Sequence, residues 1–402
     1  MWTSFKVILG LIFNEKSSIK FAIGVFLGLG FSISVILSTI GIMDGFELSL
    51  RQALKKSTGD LQFYSRKGFF NVEGEISSLL AELGINEYTA VIQSQGFAIR
   101  GKISKGVLVR GVEPESYAKV TGVYIKINEG QVALGAELAK RLKVKNGEDV
   151  VLALANGNTE ISALPQLTRF KVGQIIKHEI YQKDSRMFYL AKKRLKQMMQ
   201  LRYSTNNVLV NLASAKDHAI NKKHTEKILV LRKTLKNALG SKFAVFPYWH
   251  EFSSLIQAVE VEKFVIGIIL QLVVIISVFN VLAFIIFLNE GRSRELFLIR
   301  ALGIGRKRFT RVWLLLIALL WSVSCFISIF MVKIFDIFLR NFSFFESLSD
   351  IYNIGTLSLS LDLFDYILVF VLALAWLFLI SWFGLARLKK ISILKGLRKE
   401  FA

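Results

Sequence analysis

Residues able to do covalent or acid–base chemistry are few and poorly grouped in this chain. Four histidines, His178, His218, His224 and His250, stand among 402 residues. None falls in an H-E-x-x-H pattern, which would set two imidazoles on one helix face around zinc. His178 precedes Glu179, but no second histidine follows four residues on, so it reads as a surface histidine. Cys325 is the single cysteine and lies in a long apolar run, where a packed thiol is expected rather than a reactive thiolate. One cysteine also excludes a disulfide framework and a multi-thiolate metal site. No Gly-x-Ser-x-Gly occurs, and Gly101-Lys102 lacks the upstream glycine of a phosphate-binding loop. Catalysis by this chain is not expected, nor is a metal or cofactor bound to it.

Recognition has a better candidate in Arg294-Glu295-Leu296-Phe297-Leu298-Ile299-Arg300-Ala301-Leu302-Gly303-Ile304-Gly305. Leu296, Ile299 and Leu302–Gly303 recur at helical spacing, and Gly303 and Gly305 break the pattern before Arg306-Lys307-Arg308. Such a short amphipathic helix fits a groove in a cytosolic partner. It fits equally well on anionic lipid.

The elements that must position this segment follow from composition. Hydrophobic residues make up 53% of the chain, yet its net charge is +22. The apolar excess is concentrated in four charge-free blocks, residues 21–43, 264–288, 312–332 and 366–386. Each reaches the roughly 20 residues that a helix needs to cross hydrocarbon. The first block is too long for the apolar core of a secretory signal and runs on into Asp44-Gly45-Phe46-Glu47, so it reads as an uncleaved span.

Flanking charge sets the orientation. Residues 1–20 carry Lys6, Lys16 and Lys20 against Glu15; residues 289–311 carry a net +5, and the tail 387–402 another +5. The loop 333–365 is net −3. Basic short loops stay in the cytoplasm, which predicts both termini inside and residues 44–263 outside. That outer segment carries +13 and no cysteine. Facing away from the cytoplasm, it is not expected to bind nucleic acid. Lysines such as those of Lys192-Lys193-Arg194-Leu195-Lys196 read as a solvated helix face.

Within the outer segment, residues 61–65, 88–99, 106–112, 150–155, 170–176 and 208–212 have strand length and β-branched content. Residues 76–83, 135–142, 191–201 and 222–239 have helical periodicity. The expectation is an α+β body with an inserted lobe at about residues 115–205. At its two ends the pattern stays helical. Phe46, Leu50, Ala53 and Leu54 continue span one up to Ser57-Thr58-Gly59, and Phe252, Leu255, Ile256 and Val259 run into span two. Both ends therefore read as stalks continuous with the spans.

Taken in order, several segments resemble one family. They are Ser38–Glu47, Leu134-Gly135-Ala136-Glu137-Leu138-Ala139, Phe170–Asp184, Ala258–Lys263, Phe279-Asn280-Val281 and Glu295–Gly303. Together they resemble the LolC/LolE family, the membrane subunits of the lipoprotein-releasing ABC transporter, within the broader MacB/FtsX-like permeases. The resemblance implies an α-helical membrane protein of the MacB-like, type VII plan, with four transmembrane helices and a large α+β periplasmic domain inserted between helices 1 and 2. It implies residence in the bacterial inner membrane. Implied partners are two copies of a LolD-type ATPase, which would bind the ATP and Mg, a second membrane subunit of LolC/LolE type, membrane lipids, lipoprotein cargo and a LolA-type chaperone. Arg294, Glu295, Leu296, Ile299, Arg300, Leu302 and Gly303 would form the ATPase-coupling helix. In the loop 156–169, Leu164, Pro165, Gln166 and Leu167 would hook the chaperone, and Ile40, Met43, Phe46, Val265 and Ile268 would line the lipoprotein cavity. Non-transporting FtsX-like signalling and MacB-like efflux are the alternatives. Three departures stand out: Asn289-Glu290-Gly291 where the family has a lysine-ended turn, a third span without glycine, and no proline ahead of Leu397-Arg398-Lys399-Glu400.

Overall fold

The computed structural model describes residues 10, 16–154, 166–212, 222–291, 306–341 and 359–388. Residues 294–303, with Leu164 and Pro165, lie outside the described residues. The first apolar block forms α1 (Lys16–Lys55), a helix of 40 residues. It continues past the charge-free block because Phe46, Leu50, Ala53 and Leu54 keep an apolar stripe, and Ala53 and Leu54 are buried. It stops where Ser57 and Gly59 take positive φ, 72° and 74°.

A mixed unit spans Glu47–Ile256. Its strands are β1 (Leu61–Ser65), β2 (Glu87–Arg100), β3 (Ile103–Val112), β4 (Gln131–Gly135), β5 (Asp149–Leu154), β6 (Gln166–Ile176), β7 (Met187–Ala191), β8 (Asn207–Asn211) and β9 (Phe243–Pro247). Its helices are α2 (Glu75–Glu82), α3 (Pro114–Thr121), α4 (Ala136–Leu142), α5 (Tyr181–Asp184), α6 (Lys192–Met198) and α7 (Lys222–Leu239). The described strands form one sheet in the order β3-β7-β4-β6-β5-β2-β8-β1-β9. Pairs β3–β7 and β4–β6 are parallel, the others antiparallel.

The long strand β2 joins two packed regions. Glu87–Val91 pairs with β8, whereas Ile92–Arg100 pairs with β3. One core holds Leu61, Phe63, Val208, Val210 and Ile228; another holds Ile92, Val109, Leu134, Leu152 and Phe188. The second core therefore reaches back to Ile92, earlier than residue 115. Strands β4, β7 and β9 escape a reading by alternation. In β7, Met187-Phe188-Tyr189-Leu190 is buried on both faces, so no period of two is left in the sequence.

The helical unit comprises α1 up to Phe46, α8 (Ser253–Gly291) from Gln257 on, α9 (Arg306–Asn341) and α10 (Leu363–Leu388). All four are long and apolar enough to cross a membrane. A 3₁₀ turn, His250–Phe252, leads into the 39-residue α8. Ile33, Leu37, Val281, Ile317 and Leu377 meet in a shared core. The third span lacks glycine, but the close approach it would give is supplied from α1. A Cβ on Gly30 would stand 2.9 Å from the Ile327 side chain and 3.2 Å from the Ser324 carbonyl. Ser324 Oγ in turn donates to the Phe26 carbonyl at 3.3 Å.

Candidate functional site

Helix α1 ends in the mixed unit with carbonyls that need partners, since the last turn of any helix leaves its acceptors unpaired. Main-chain amides serve two of them: Lys56 N donates to Gln52 O at 3.0 Å, and Thr58 N and Gly59 N donate to Lys55 O. Two buried cations and a phenol serve others. The Lys183 ammonium, on α5, donates to Leu54 O at 2.5 Å, Lys56 O at 2.7 Å and Ala53 O at 3.5 Å, with Thr58 Oγ1 at 3.3 Å. From β3, Arg110 Nη1 donates to Ser57 O at 2.5 Å, and from α3, Tyr117 OH donates to the same carbonyl at 3.0 Å. Arg110 Nη2 reaches back to Gln93 on β2 at 3.1 Å. Lys55, in the last turn of α1, pairs at 2.9 Å with Asp60, which is wholly buried and also accepts from His224 and the Leu212 amide.

Behind this grip lies a second buried chain of polar groups. His178 has no exposed surface, which corrects the expectation of a surface histidine. Its Nδ1 lies 2.7 Å from Asp184 Oδ1, its main-chain amide donates to the same oxygen at 2.9 Å, and its Nε2 lies 2.8 Å from Tyr189 OH. Burial holds the imidazole below its ordinary range, against the pull of Asp184. The neutral ring then donates from Nδ1 to the carboxylate and accepts at Nε2 from the phenol, whose own pKa burial pushes well above its usual value. Burial, reinforced by the Arg110 charge, lowers Lys183 to about 7, and Glu251 and Asp184 oppose the shift. An aspartate–histidine–hydroxyl chain can activate a nucleophile, but Tyr189 is wholly buried, and among the described residues its hydroxyl leads on to Tyr117, which reaches the Ser57 carbonyl. This arrangement can fix a helix end.

Sequence reasoning missed Arg110, Tyr117, His178, Lys183, Asp184 and Tyr189 as a group. Only the quoted segment Phe170–Asp184 pointed toward it, and nothing in that segment marks its polar residues as buried. Among the described residues no cluster of His, Cys, Asp and Glu is able to hold a metal ion.

No family model matches the chain. Curated proteins do. The lipoprotein-releasing system transmembrane protein LolC of Xylella fastidiosa strain Temecula1 is 21% identical over 394 residues, covering 93% of this chain and 92% of that protein. The protein of the same name from Neisseria meningitidis serogroup B is 21% identical over 402 residues, again covering 93% and 92%. The chain is similar to LolC along nearly its whole length. Solved structures give partial overlaps. The periplasmic region of MacB from Actinobacillus actinomycetemcomitans matches with a TM-score of 0.30 and 16% identity, over 51% of this chain and 94% of that one. The extracellular domain of the transporter YknZ from Gram-positive bacteria matches with a TM-score of 0.29 and 16% identity, over 46% and 98%.

Three of the segments singled out in the sequence have defined places among the described residues. In the helical unit, Asp44 from the first segment and Lys263 from the fourth form an ion pair. In the mixed unit, Gly135 lies beneath α5: a Cβ there would fall well inside contact distance of the Asp184 carbonyl, so the Leu134–Ala139 segment seats the turn that carries Lys183. Of the hook residues, Gln166 and Leu167 are strand rather than loop, paired with Leu154 and Ala153. The ladder starts four residues before Phe170 because β5 offers partners that far. Leu167 is exposed and, with Phe97, lines a trough of about 700 Å³ between β2, β3, β5 and β6. Val265 and Ile268 are exposed on α8, whereas Ile40, Met43 and Phe46 are half-buried on α1 and Ile40 packs on the helical core.

Proposed function

We propose that this chain is a membrane subunit of a lipoprotein-releasing ABC transporter. The observation that carries the reading is similarity to proteins named LolC across 93% of the chain, spans and mixed unit alike. On this reading the mixed unit stands in the periplasm, and both termini and residues 289–311 face the cytoplasm of the inner membrane, where their lysines and arginines favour retention. The chain works beside a second membrane subunit of LolC/LolE type and two LolD-type ATPase copies that bind ATP and Mg. Nucleotide-driven motion enters through Arg294–Gly303, travels along α1 and α8, and lifts a lipoprotein from the outer leaflet toward a LolA-type chaperone. Continuous helices of 40 and 39 residues, about 60 Å each at 1.5 Å per residue, support a rigid route.

Depletion of the protein tests the function: lipoproteins accumulate in the inner membrane, whereas unchanged sorting points to an FtsX-like signalling role. Leu296→Asp or Ile299→Asp abolishes co-purification of the ATPase while insertion persists; retention of the ATPase by both variants removes that segment as the contact. For the hook, replacing Leu164 and Pro165 by glycine leaves the β5–β6 ladder intact and removes chaperone cross-linking. Persistent cross-linking assigns the contact elsewhere.

A further inference from the structure

We infer that Lys183 and Arg110 are positioning residues that clamp the end of α1 to the β3-β7-β4 side of the sheet, so that displacement of α1 reaches this side as rigid motion. The inference rests on the reading above, in which motion arrives along α1. Its ground is an accounting of acceptors. Just past the helix, Ser57 and Gly59 both have positive φ, a conformation that costs a serine energy and that would make a natural hinge. At this joint the carbonyls of Ala53, Leu54, Lys56 and Ser57 are taken by side chains of β3, α3 and α5. Glycine at 59 is needed because a Cβ would stand 2.7 Å from the Val210 carbonyl.

The clamp is all-or-none. Lys183 is 8% exposed and Arg110 is 4% exposed, so sliding of the helix end takes carbonyl acceptors from two buried donors, at a cost for each. Among the described residues the hydrogen-bond acceptors of Lys183 are three carbonyls and a hydroxyl, all on residues 53–58. Its seat is fixed independently: Asp184 accepts twice from His178, and the turn lies against Gly135. Arg110 sits in mid-strand, with Tyr189 of β7 opposite and Gln93 of β2 on the other side.

The test uses the full chain with its ATPase in nanodiscs, with Cys325 replaced by alanine. Spin labels at exposed Gln52 and Lys193 read the joint, and labels at exposed Ser104 and Lys193 read the integrity of the lobe. The unsubstituted joint gives one narrow distance distribution with and without trapped nucleotide. In Lys183→Met the joint distribution broadens about twofold or gains a second population, as a freed hinge requires, while the lobe pair stays narrow. Glu179→Gln, which breaks the exposed Lys56–Glu179 pair at 2.8 Å, leaves both narrow. Should Lys183→Met broaden the lobe pair too, Arg110→Lys, which gives up the forked contact, is read in the same way. An unchanged joint distribution in both variants overturns the clamp. The same variants then enter proteoliposomes carrying a triacylated lipoprotein: ATP hydrolysis persists and most release is lost. If the unsubstituted complex releases no lipoprotein while the labels report the clamp, the transport reading falls and the clamp stands.

Discussion

Lys183 sets its amino group in a place where carbonyl oxygens, rather than a carboxylate, receive it. The consequence is a pH dependence of definite sign. In the unfolded chain a lysine titrates near 10.5; here burial lowers it to about 7. Between those values the unfolded state binds a proton that the folded state does not, so stability rises with pH, by up to about 1.4 kcal/mol per unit. Unfolding of the purified protein at pH 7.5 and 9, followed by tryptophan fluorescence, checks this. Lys183→Met removes that rise, and an identical slope in the variant assigns it to another group. His178 has the same sign lower down: its depressed pKa means stability is lost as pH falls below about 6.5. Asp184→Ala strips two donors of their acceptor and costs about 3–5 kcal/mol, measured by denaturant titration. Loss of less than about 1 kcal/mol contradicts the His178–Asp184 network.

At the scale of elements, small residues decide where backbones approach. Gly30 faces Ile327 and Ser324, whereas a Cβ on Gly24 would meet nothing within 4 Å. Gly30→Leu therefore lowers the melting temperature of the helical unit by several degrees, while Gly24→Ala leaves it within about 2 °C. Equal effects would show that the packing of α1 on α9 is not set at Gly30. Four of the six described helices and most strands of the mixed unit were readable because their periodicity is local: residues 61–65 and 222–239 coincide with β1 and α7, whereas the short α3 and α5 are too brief to show a period. Residues 187–191 did not read as a strand because complete burial erases alternation. Residues 166–169 read as loop because their partner strand β5, and not their own pattern, makes them strand.

For the whole molecule, charge and grease separate. The apolar excess belongs to four spans, and positive charge in residues 1–20, 289–311 and 387–402 predicts their direction. Cysteines placed at Lys102 and Lys395 in a Cys325→Ala background check it with a membrane-impermeant maleimide. Position 102 is labelled in spheroplasts and position 395 only after lysis; the reverse pattern inverts the orientation. What the sequence determined alone was whatever depends on neighbours along the chain: span number, stalk continuity, the helical periodicity of residues 294–303 and the family resemblance. The structure decided what depends on distant partners. His178, read as a surface residue, is buried because Asp184 and Tyr189 close over it, eleven residues away at most. Lys183, one more lysine in a chain with 52 lysines and arginines, is singled out only because the fold brings it to the open carbonyls of a helix about 130 residues earlier. Burial of a polar group is set by the surroundings it meets in space, and no local pattern of residues encodes those surroundings.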